Sequence, residues 1–258
     1  MGANIRRNAV GANFISSIQH GHDDAIFNPT NDPTAHERLV EVRQSWDGEQ
    51  SVTTLTSGVY DGLHPDHAGY LLHVKAAGAE LHYNANYSND WHDLKEGERE
   101  EYVRYALSQT ALLRLILSID GDTSVSVRKN GKGGSVRPVY GWNTRATMAA
   151  GLSYRSPDNP LQRLPVVDAV TIHGPDDFPE GHPHHTLYSL VPRLRPDVWG
   201  VYDESTDILE AIDIDPELAR IPVRTISDDP GQRYWVDDIM GKISTTAIVK
   251  RIRGEQSA

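Results

Sequence analysis

Asp61 and His64 are the residues of this chain whose types and spacing are best suited to chemistry. They lie three positions apart in the segment Asp-Gly-Leu-His-Pro-Asp-His-Ala-Gly-Tyr, residues 61–70. A carboxylate can fix the tautomer and orientation of a neighbouring imidazole, and an oriented imidazole can act as a general base. On one rigid turn, such a pair can deprotonate a hydroxyl group that then attacks an ester. The spacing therefore predicts acid–base catalysis, with Asp61 as the orienting acid and His64 as the base.

The same segment resembles the last conserved block of the SGNH (GDSL-type) esterases and lipases, which reads Asp-Gly-x-His-Pro and then Ala-Gly-Tyr after a short gap. The resemblance covers residues 61–70 and implies a hydrolase of ester-type bonds acting on a small-molecule ester. It also implies that Asp61 and His64 are two members of a Ser-His-Asp arrangement, whose serine lies in a separate Gly-Asp-Ser block. No Gly-Asp-Ser occurs in this sequence, so the nucleophile stays unidentified.

A structural interpretation of the segment is the alternative. Asp-Gly is a common turn, and Asp66 is a suitable cap for a helix that begins at His67. Under this interpretation the chain has no catalytic site. It would be a structural or assembly protein, such as a virion or particle component. Its partners would then be further copies of itself, in a homo-oligomer or a larger assembly.

Two groups of histidines could bind a metal. Residues 64–69 match the second half of the His-x-His-x-Asp-His zinc motif of metallo-β-lactamase-like hydrolases, but Gly62 stands at the first ligand position. His182, His184 and His185 offer three imidazoles that could hold zinc or nickel. An exposed histidine-rich loop is the favoured interpretation of this second group, so neither a metal nor a cofactor is predicted.

A metal-dependent nuclease is the third function considered. Such enzymes place an acid on one strand and a Glu-x-Lys-like triplet on the next, and together these residues hold Mg²⁺. Asp61 followed by residues 73–75 has the lysine but a histidine in place of the second acid. Asp197 followed by residues 210–212 has the acids but no lysine. Each pattern is half complete.

Composition limits the classes of function. The chain has 258 residues, 24% of them charged, a formal net charge of −11 and no cysteine. The absence of cysteine excludes disulfides, thiolate metal sites and cysteine nucleophiles, and an acidic chain is disfavoured as a nucleic-acid binder. No apolar run approaches the roughly 20 residues that cross a bilayer, and residues 1–10 show no secretory signal. A cytoplasmic protein without membrane contact is therefore expected.

The elements around the Asp-His pair are predicted from periodicity. Residues 51–60 are rich in valine and threonine and indicate a strand that ends just before Asp61. Residues 67–77 follow as a helix, or as two strands of a meander, and residues 80–85 as the next strand. A long amphipathic helix is expected over residues 96–118, because the residues of one predicted buried face recur at helical spacing. These residues are Val103, Ala106, Leu107, Thr110, Leu113 and Leu117.

The second half of the chain is expected to be rich in strands. Residues 123–128 and 135–140 alternate as strands on either side of a glycine-rich turn. Residues 198–202 and 208–214 flank an acidic turn and indicate a hairpin, and residues 220–226 and 243–252 add two more strands.

The predicted fold class is thus α+β, with a largely antiparallel sheet, one long amphipathic helix and a β-rich C-terminal half. A single domain over residues 1–258 is expected. The alternative is a boundary near residue 155 between a mixed part, residues 1–155, and a β-rich part, residues 156–258.

Overall fold

The computed structural model describes residues 25–109, 111–130, 138–174, 185–202 and 205–226, and the fold is a parallel sheet covered by helices on both faces. The strands in chain order are β1 (Ile26–Phe27), β2 (Val52–Gly58), β3 (Leu113–Asp120), β4 (Ser153–Arg155), β5 (Arg163–Pro165), β6 (Ala169–His173), β7 (Val198–Tyr202) and β8 (Val223–Ile226). The helices are α1 (Ala35–Asp47), α2 (Pro65–Asn86), α3 (Glu96–Ser108), α4 (Asp122–Asn130), α5 (Trp142–Ala150), α6 (His185–Leu194) and α7 (Thr206–Ile214).

The central sheet has six strands in the order β1-β6-β3-β2-β7-β8, and every neighbouring pair is parallel. Strands β4 and β5 form a separate antiparallel pair. From β2 the chain moves to β3 and then to β6 on one side, and it returns to β7 on the other side of β2. This reversal opens a crevice at the carboxyl ends of β2 and β7, the place where open α/β sheets bind their ligands.

The predicted α+β class with a largely antiparallel sheet is therefore wrong, and so is the β-rich C-terminal half. Residues 123–128 belong to helix α4, and residues 208–214 belong to helix α7. Strand β7 therefore does not form the predicted antiparallel hairpin with residues 208–214. These residues belong to the helix that joins β7 to β8, and the two strands pair in parallel. Apolar and polar residues alternate over so few positions in these segments that a short helix and a strand produce the same pattern.

The helix predicted over residues 96–118 is wrong in its second half, because α3 ends at Ser108 and β3 begins at Leu113. All eight residues of β3 are buried, since helices cover both faces of the sheet at its centre. A strand that is apolar on both faces satisfies a helical spacing as readily as a strand spacing. Leu113 and Leu117 matched the helical pattern for this reason.

Of the remaining predicted elements, two strands are confirmed: residues 51–60 contain β2, and residues 198–202 are β7. The predicted strand over residues 220–226 is confirmed in its second half, as β8. Residues 243–252, like His182 and His184, lie outside the described residues, and residues 135–140 lie partly outside them.

Helix α2 is longer than the helix predicted over residues 67–77 and includes the segment predicted as a strand, residues 80–85. It crosses the sheet closely, because two glycines leave room for it. A Cβ atom on Gly78 would lie 2.9 Å from Cγ1 of Val52 in β2, and one on Gly200 in β7 would lie 2.7 Å from Cγ1 of Val74. The contact of α2 with the sheet thus fixes where the first turn of the helix lies.

Gly200→Ala is expected to destabilise the protein by about 1–3 kcal/mol, since the added methyl group overlaps the buried Val74 side chain. The free energy of unfolding in urea measures the effect. The double variant Gly200→Ala/Val74→Ala removes the overlapping methyl groups and is expected to lose less stability than the sum of its two single variants. Simple additivity would show that α2 does not press on β7 at this point.

The amino-terminal edge of the sheet contains a buried ion cluster that includes Lys75. Its Nζ lies 2.7 Å from Oδ2 of Asp168, and Arg114 lies 3.3 Å from the other oxygen of that carboxylate. Burial lowers the pKa of Lys75. Lys75 is about 15 Å along α2 from the start of the helix, at a rise of about 1.5 Å per residue, so it is remote from Asp61. Asp61 and Lys75 therefore do not form the nuclease site considered from the sequence. Residues 210–212, which the other nuclease pattern requires on a strand, lie in a helix.

Among the helices of the described residues, none combines the length and the apolar character needed to cross a membrane. The central sheet takes β1, β2 and β3 from before residue 155 and β6, β7 and β8 from after it.

Candidate functional site

The turn from β2 into α2 lies at the crevice and has a strained backbone. Tyr60 has a φ of 49° and Gly62 a φ of 79°, both in the left-handed region. Glycine adopts this conformation freely, whereas a residue with a side chain loses roughly 1–2 kcal/mol there. His64 then occupies the N-cap position of α2, and Pro65 a first-turn position, where its missing N–H is not needed. The surrounding structure therefore holds Tyr60 in a conformation that costs free energy.

His64 and His67 place two imidazoles together at the start of α2. Their ring centroids are 3.8 Å apart with an interplanar angle of 31°, and the Tyr60 ring lies 5.3 Å from that of His67. Both histidines are partly exposed. The His64 side chain makes no capping hydrogen bond to the helix, so the first backbone N–H groups of α2 are not capped by it. A helix amino terminus attracts anions, and two imidazoles beside it add hydrogen-bond donors.

Two tyrosine rings, one from α2 and one from β7, are in contact at the crevice. Tyr70 of α2 meets Tyr202, the last residue of β7, edge to face at 5.9 Å between ring centroids. The Tyr70 hydroxyl lies 3.0 Å from Oγ1 of Thr56 in β2, which orients the ring. Tyr60 is 5% exposed, and burial raises its pKa well above the ordinary value. The Tyr60 phenol is therefore a neutral hydrogen-bonding group beside His67.

Asp61 anchors a second segment to the turn. Its Oδ1 and Oδ2 accept hydrogen bonds from the backbone N–H of Val139 at 3.0 and 2.9 Å, and its Oδ1 accepts one from Tyr140 at 3.0 Å. The chain before α5 is thereby held against the end of β2. The two residues predicted as catalytic, Asp61 and His64, thus lie on one turn at the carboxyl edge of the sheet. Their use as acid and base remains a prediction.

Arg145 of α5 joins the elements around this turn. Its side chain is fully buried and donates hydrogen bonds to the backbone oxygens of Val59, Asp120 and Tyr140 and to the carboxylate of Asp122, the last two at 3.0 and 2.7 Å. It therefore connects the ends of β2 and β3 with the segment that Asp61 holds. Sequence reasoning missed Arg145, because no local pattern distinguishes it from the exposed arginines.

A buried Ser-His-Asp contact lies between β3 and β6, beside the turn. Oγ of Ser118 is 2.8 Å from Nδ1 of His173, whose Nε2 is 3.0 Å from Oδ1 of Asp120. The side chains of His173 and Asp120 are 0% and 1% exposed, and Ser118 is also fully buried. A substrate has no access to them in this arrangement, so they position the strand ends. The contact depends on the cross-strand register of Asp120 with His173, which local sequence does not reveal.

As a functional residue, His67 was considered in the sequence only within the zinc half-motif of residues 64–69. Within the described residues, no group of three or more histidine, cysteine, aspartate or glutamate side chains is arranged to hold a metal ion. Instead, the structure brings His67 together with His64 and Tyr60. The sequence signal that could have found this pair is the His-x-x-His spacing across a predicted helix start, which puts both imidazoles at one helix end.

Comparisons with known proteins add little to this geometry. No protein-family model and no curated protein matches the sequence. Among solved structures, the crystal structure of the lipopolysaccharide core biosynthesis protein from Thermoplasma volcanium GSS1 is similar over 68% of this chain and 94% of that chain, with 19% sequence identity and a TM-score of 0.38. A likeness at that TM-score supports no argument about function. The site must therefore be judged by its own residues.

Proposed function

We propose that this protein is a nucleotidyltransferase that binds a nucleoside triphosphate at the crevice between β2 and β7. It would transfer the nucleotidyl group to an oxygen of a small acceptor and release pyrophosphate. The observation that carries the proposal is the pair of imidazoles, His64 and His67, 3.8 Å apart at the amino terminus of α2.

The position of the pair supports a phosphate-bearing ligand. Doubly wound parallel sheets bind nucleotides at the carboxyl ends of their strands where the strand order reverses, and here that point lies between β2 and β7. The 22-residue helix α2 begins at the same point, and its dipole favours a negative group there. Tyr70 and Tyr202 add aromatic surface at the same crevice.

The chemistry of nucleotidyl transfer suits these groups. The acceptor oxygen attacks the α-phosphorus and forms a new P–O bond, while the bond from phosphorus to the pyrophosphate oxygen breaks. Negative charge grows on the leaving oxygen and on the oxygens around phosphorus. Hydrogen bonds from His64, His67 and the first N–H groups of α2 would be stronger to this charge than to the bound triphosphate, which lowers the barrier.

Transfer of the γ-phosphate is the less favoured reaction. Many proteins that transfer it hold the β- and γ-phosphates with a Gly-x4-Gly-Lys-Ser/Thr loop, and this spacing occurs nowhere in the sequence.

Ester hydrolysis by Asp61 and His64 is a second proposal. Its support is the position of both residues on one turn at the carboxyl edge. Two other functions of this protein stay predictions from the sequence. One is a metal-dependent nuclease, and the other is a component of a homo-oligomer or larger assembly.

One set of assays separates these functions. The purified protein is incubated with Mg²⁺ and each of the four ribonucleoside triphosphates, with and without a pool of phosphorylated alcohols and sugars as acceptors. We expect pyrophosphate release, with one base preferred and the rate raised by an acceptor. Orthophosphate in its place would show γ-phosphate transfer or hydrolysis. No turnover of any nucleotide, together with labelling of one serine by a fluorophosphonate that His64→Ala abolishes, would favour the hydrolase.

A further inference from the structure

A pocket lies at the far end of α2, where that helix meets α3. It has a volume of about 400 Å³, and its lining includes Tyr83, Tyr87, Glu98, Glu101, Tyr102 and Tyr105. We call it the tyrosine pocket. We propose that the tyrosine pocket binds an organic cation that carries a quaternary ammonium group. The proposal does not depend on the nucleotidyltransferase activity, because the pocket is about 30 Å from the first turn of α2 at a rise of about 1.5 Å per residue.

Helical spacing brings the lining residues together. Tyr83 and Tyr87 are four residues apart in the last turns of α2. Glu98, Glu101, Tyr102 and Tyr105 follow at i, i+3, i+4 and i+7 in α3. Residues at these intervals share one helix face, so two faces that carry tyrosines meet at the pocket. The volume lies at the lower end of the usual range for small-molecule sites.

The tyrosine rings pack against one another, and the outer ones remain partly exposed. Tyr83 and Tyr87 stack at 4.7 Å with an interplanar angle of 11°, and Tyr102 stands edge to face against both, at 4.9 and 5.6 Å. Tyr87 and Tyr105 are nevertheless 49% and 44% exposed. Tyr83 and Trp91 are buried, and their packing holds the outer rings in place. Packed but exposed aromatic side chains of this kind offer a rigid π surface to a ligand.

The charges around the pocket select a cation. Glu98 and Glu101 are both exposed, and none of the residues that line the pocket is basic. One oxygen of Glu98 accepts a hydrogen bond from the backbone N–H of Lys95, and this bond does not remove the negative charge. The formal net charge of the chain, −11, adds a long-range attraction for cations.

A quaternary ammonium group fits better than a primary amine. The Tyr102 hydroxyl lies 2.6 Å from Nδ1 of His82 and also hydrogen bonds with Tyr87, so this polar group already has partners within the protein. A quaternary ammonium group donates no hydrogen bonds, and the faces of aromatic rings bind it through the cation–π interaction. Several tyrosines with nearby carboxylates therefore match its needs.

Isothermal titration of the intact protein with choline tests the proposal. Trimethyl-lysine, as the free amino acid, is titrated in parallel, because the group could come from a small molecule or from a modified protein. We expect saturable binding of at least one of them. The uncharged analogue 3,3-dimethylbutan-1-ol has the shape of choline, and we expect it to bind at least about tenfold more weakly.

Variants assign the binding to the pocket. Tyr87→Leu is expected to weaken binding about tenfold, whereas Tyr87→Phe keeps the ring and stays within about twofold of the wild type. Glu101→Gln should weaken it about threefold, and Asp213→Asn, which alters an exposed acid elsewhere, should leave it unchanged. Three results would each overturn the proposal: no saturable binding of either cation, equal binding of the uncharged analogue, or full binding by Tyr87→Leu.

Discussion

Replacement of His64 or of His67 by asparagine is expected to lower the rate constant of pyrophosphate release by roughly 10²–10³-fold, the usual cost of removing one donor to the charge of a transition state. Asparagine is polar but shorter than histidine and does not reach the same point. Both side chains are partly exposed, so the fold should survive the change. Steady-state kinetics with the preferred nucleotide measure kcat and KM separately. We expect the loss mainly in kcat, because the hydrogen bonds strengthen as charge develops.

His92→Asn is the matched control. His92 has a side chain that is 70% exposed and lies 3.4 Å from Glu80, at the other end of α2. This variant should keep the wild-type rate. The two site variants are also expected to be non-additive when combined, because the imidazoles are in contact and act on one leaving group. If both site variants bound nucleotide and turned it over at the wild-type rate, the imidazole pair would have no part in the reaction.

The sequence predicted where several elements lie but not how they pair. Val52–Gly58 is a strand that ends before Asp61, as expected. The sheet was nevertheless predicted as antiparallel, because the signals for helices α4 and α7 are short and alternate like strands. Once those helices are known, β2, β3, β6, β7 and β8 are each separated by helical segments, which is the pattern of a parallel sheet. A few misassigned residues thus changed the predicted fold class.

Of the candidate site, the sequence predicted only the residues that are neighbours along the chain. Asp61, His64 and His67 are neighbours in sequence, and their types drew attention to the correct turn. Tertiary structure brings Arg145, Tyr202 and the Asp120–His173 contact to that turn. They come from elements roughly 60 to 140 residues away along the chain. No local periodicity encodes such contacts. Tyr60 is also near in sequence, but its left-handed backbone could not be read from its type, since tyrosine rarely adopts it.

The four acceptors of Arg145 make this residue the main connection between the fold and the site. Three are backbone oxygens, of Val59, Asp120 and Tyr140, and the fourth is the carboxylate of Asp122. Carbonyl groups at strand ends have no partner within the sheet, and a buried polar group without a hydrogen bond costs about 1–3 kcal/mol. One guanidinium with five N–H donors can satisfy several of them at once. A single side chain thus holds the end of β2, the end of β3 and the segment bound by Asp61.

Arg145→Met should therefore destabilise the protein by about 3–5 kcal/mol, since it removes the buried charge and leaves these acceptors without their donor. For a chain of this size that corresponds to a fall in Tm of roughly 6–20 °C by differential scanning calorimetry. Arg224→Met is the control. Arg224 is 49% exposed and pairs with Glu80 at the surface, so its loss should cost no more than about 1 kcal/mol. Nucleotide binding by Arg145→Met, measured well below its Tm, should be weakened as well, because the turn before α2 loses its support. A loss of stability no larger than that of the control would mean that Arg145 does not join the strand ends as the geometry indicates.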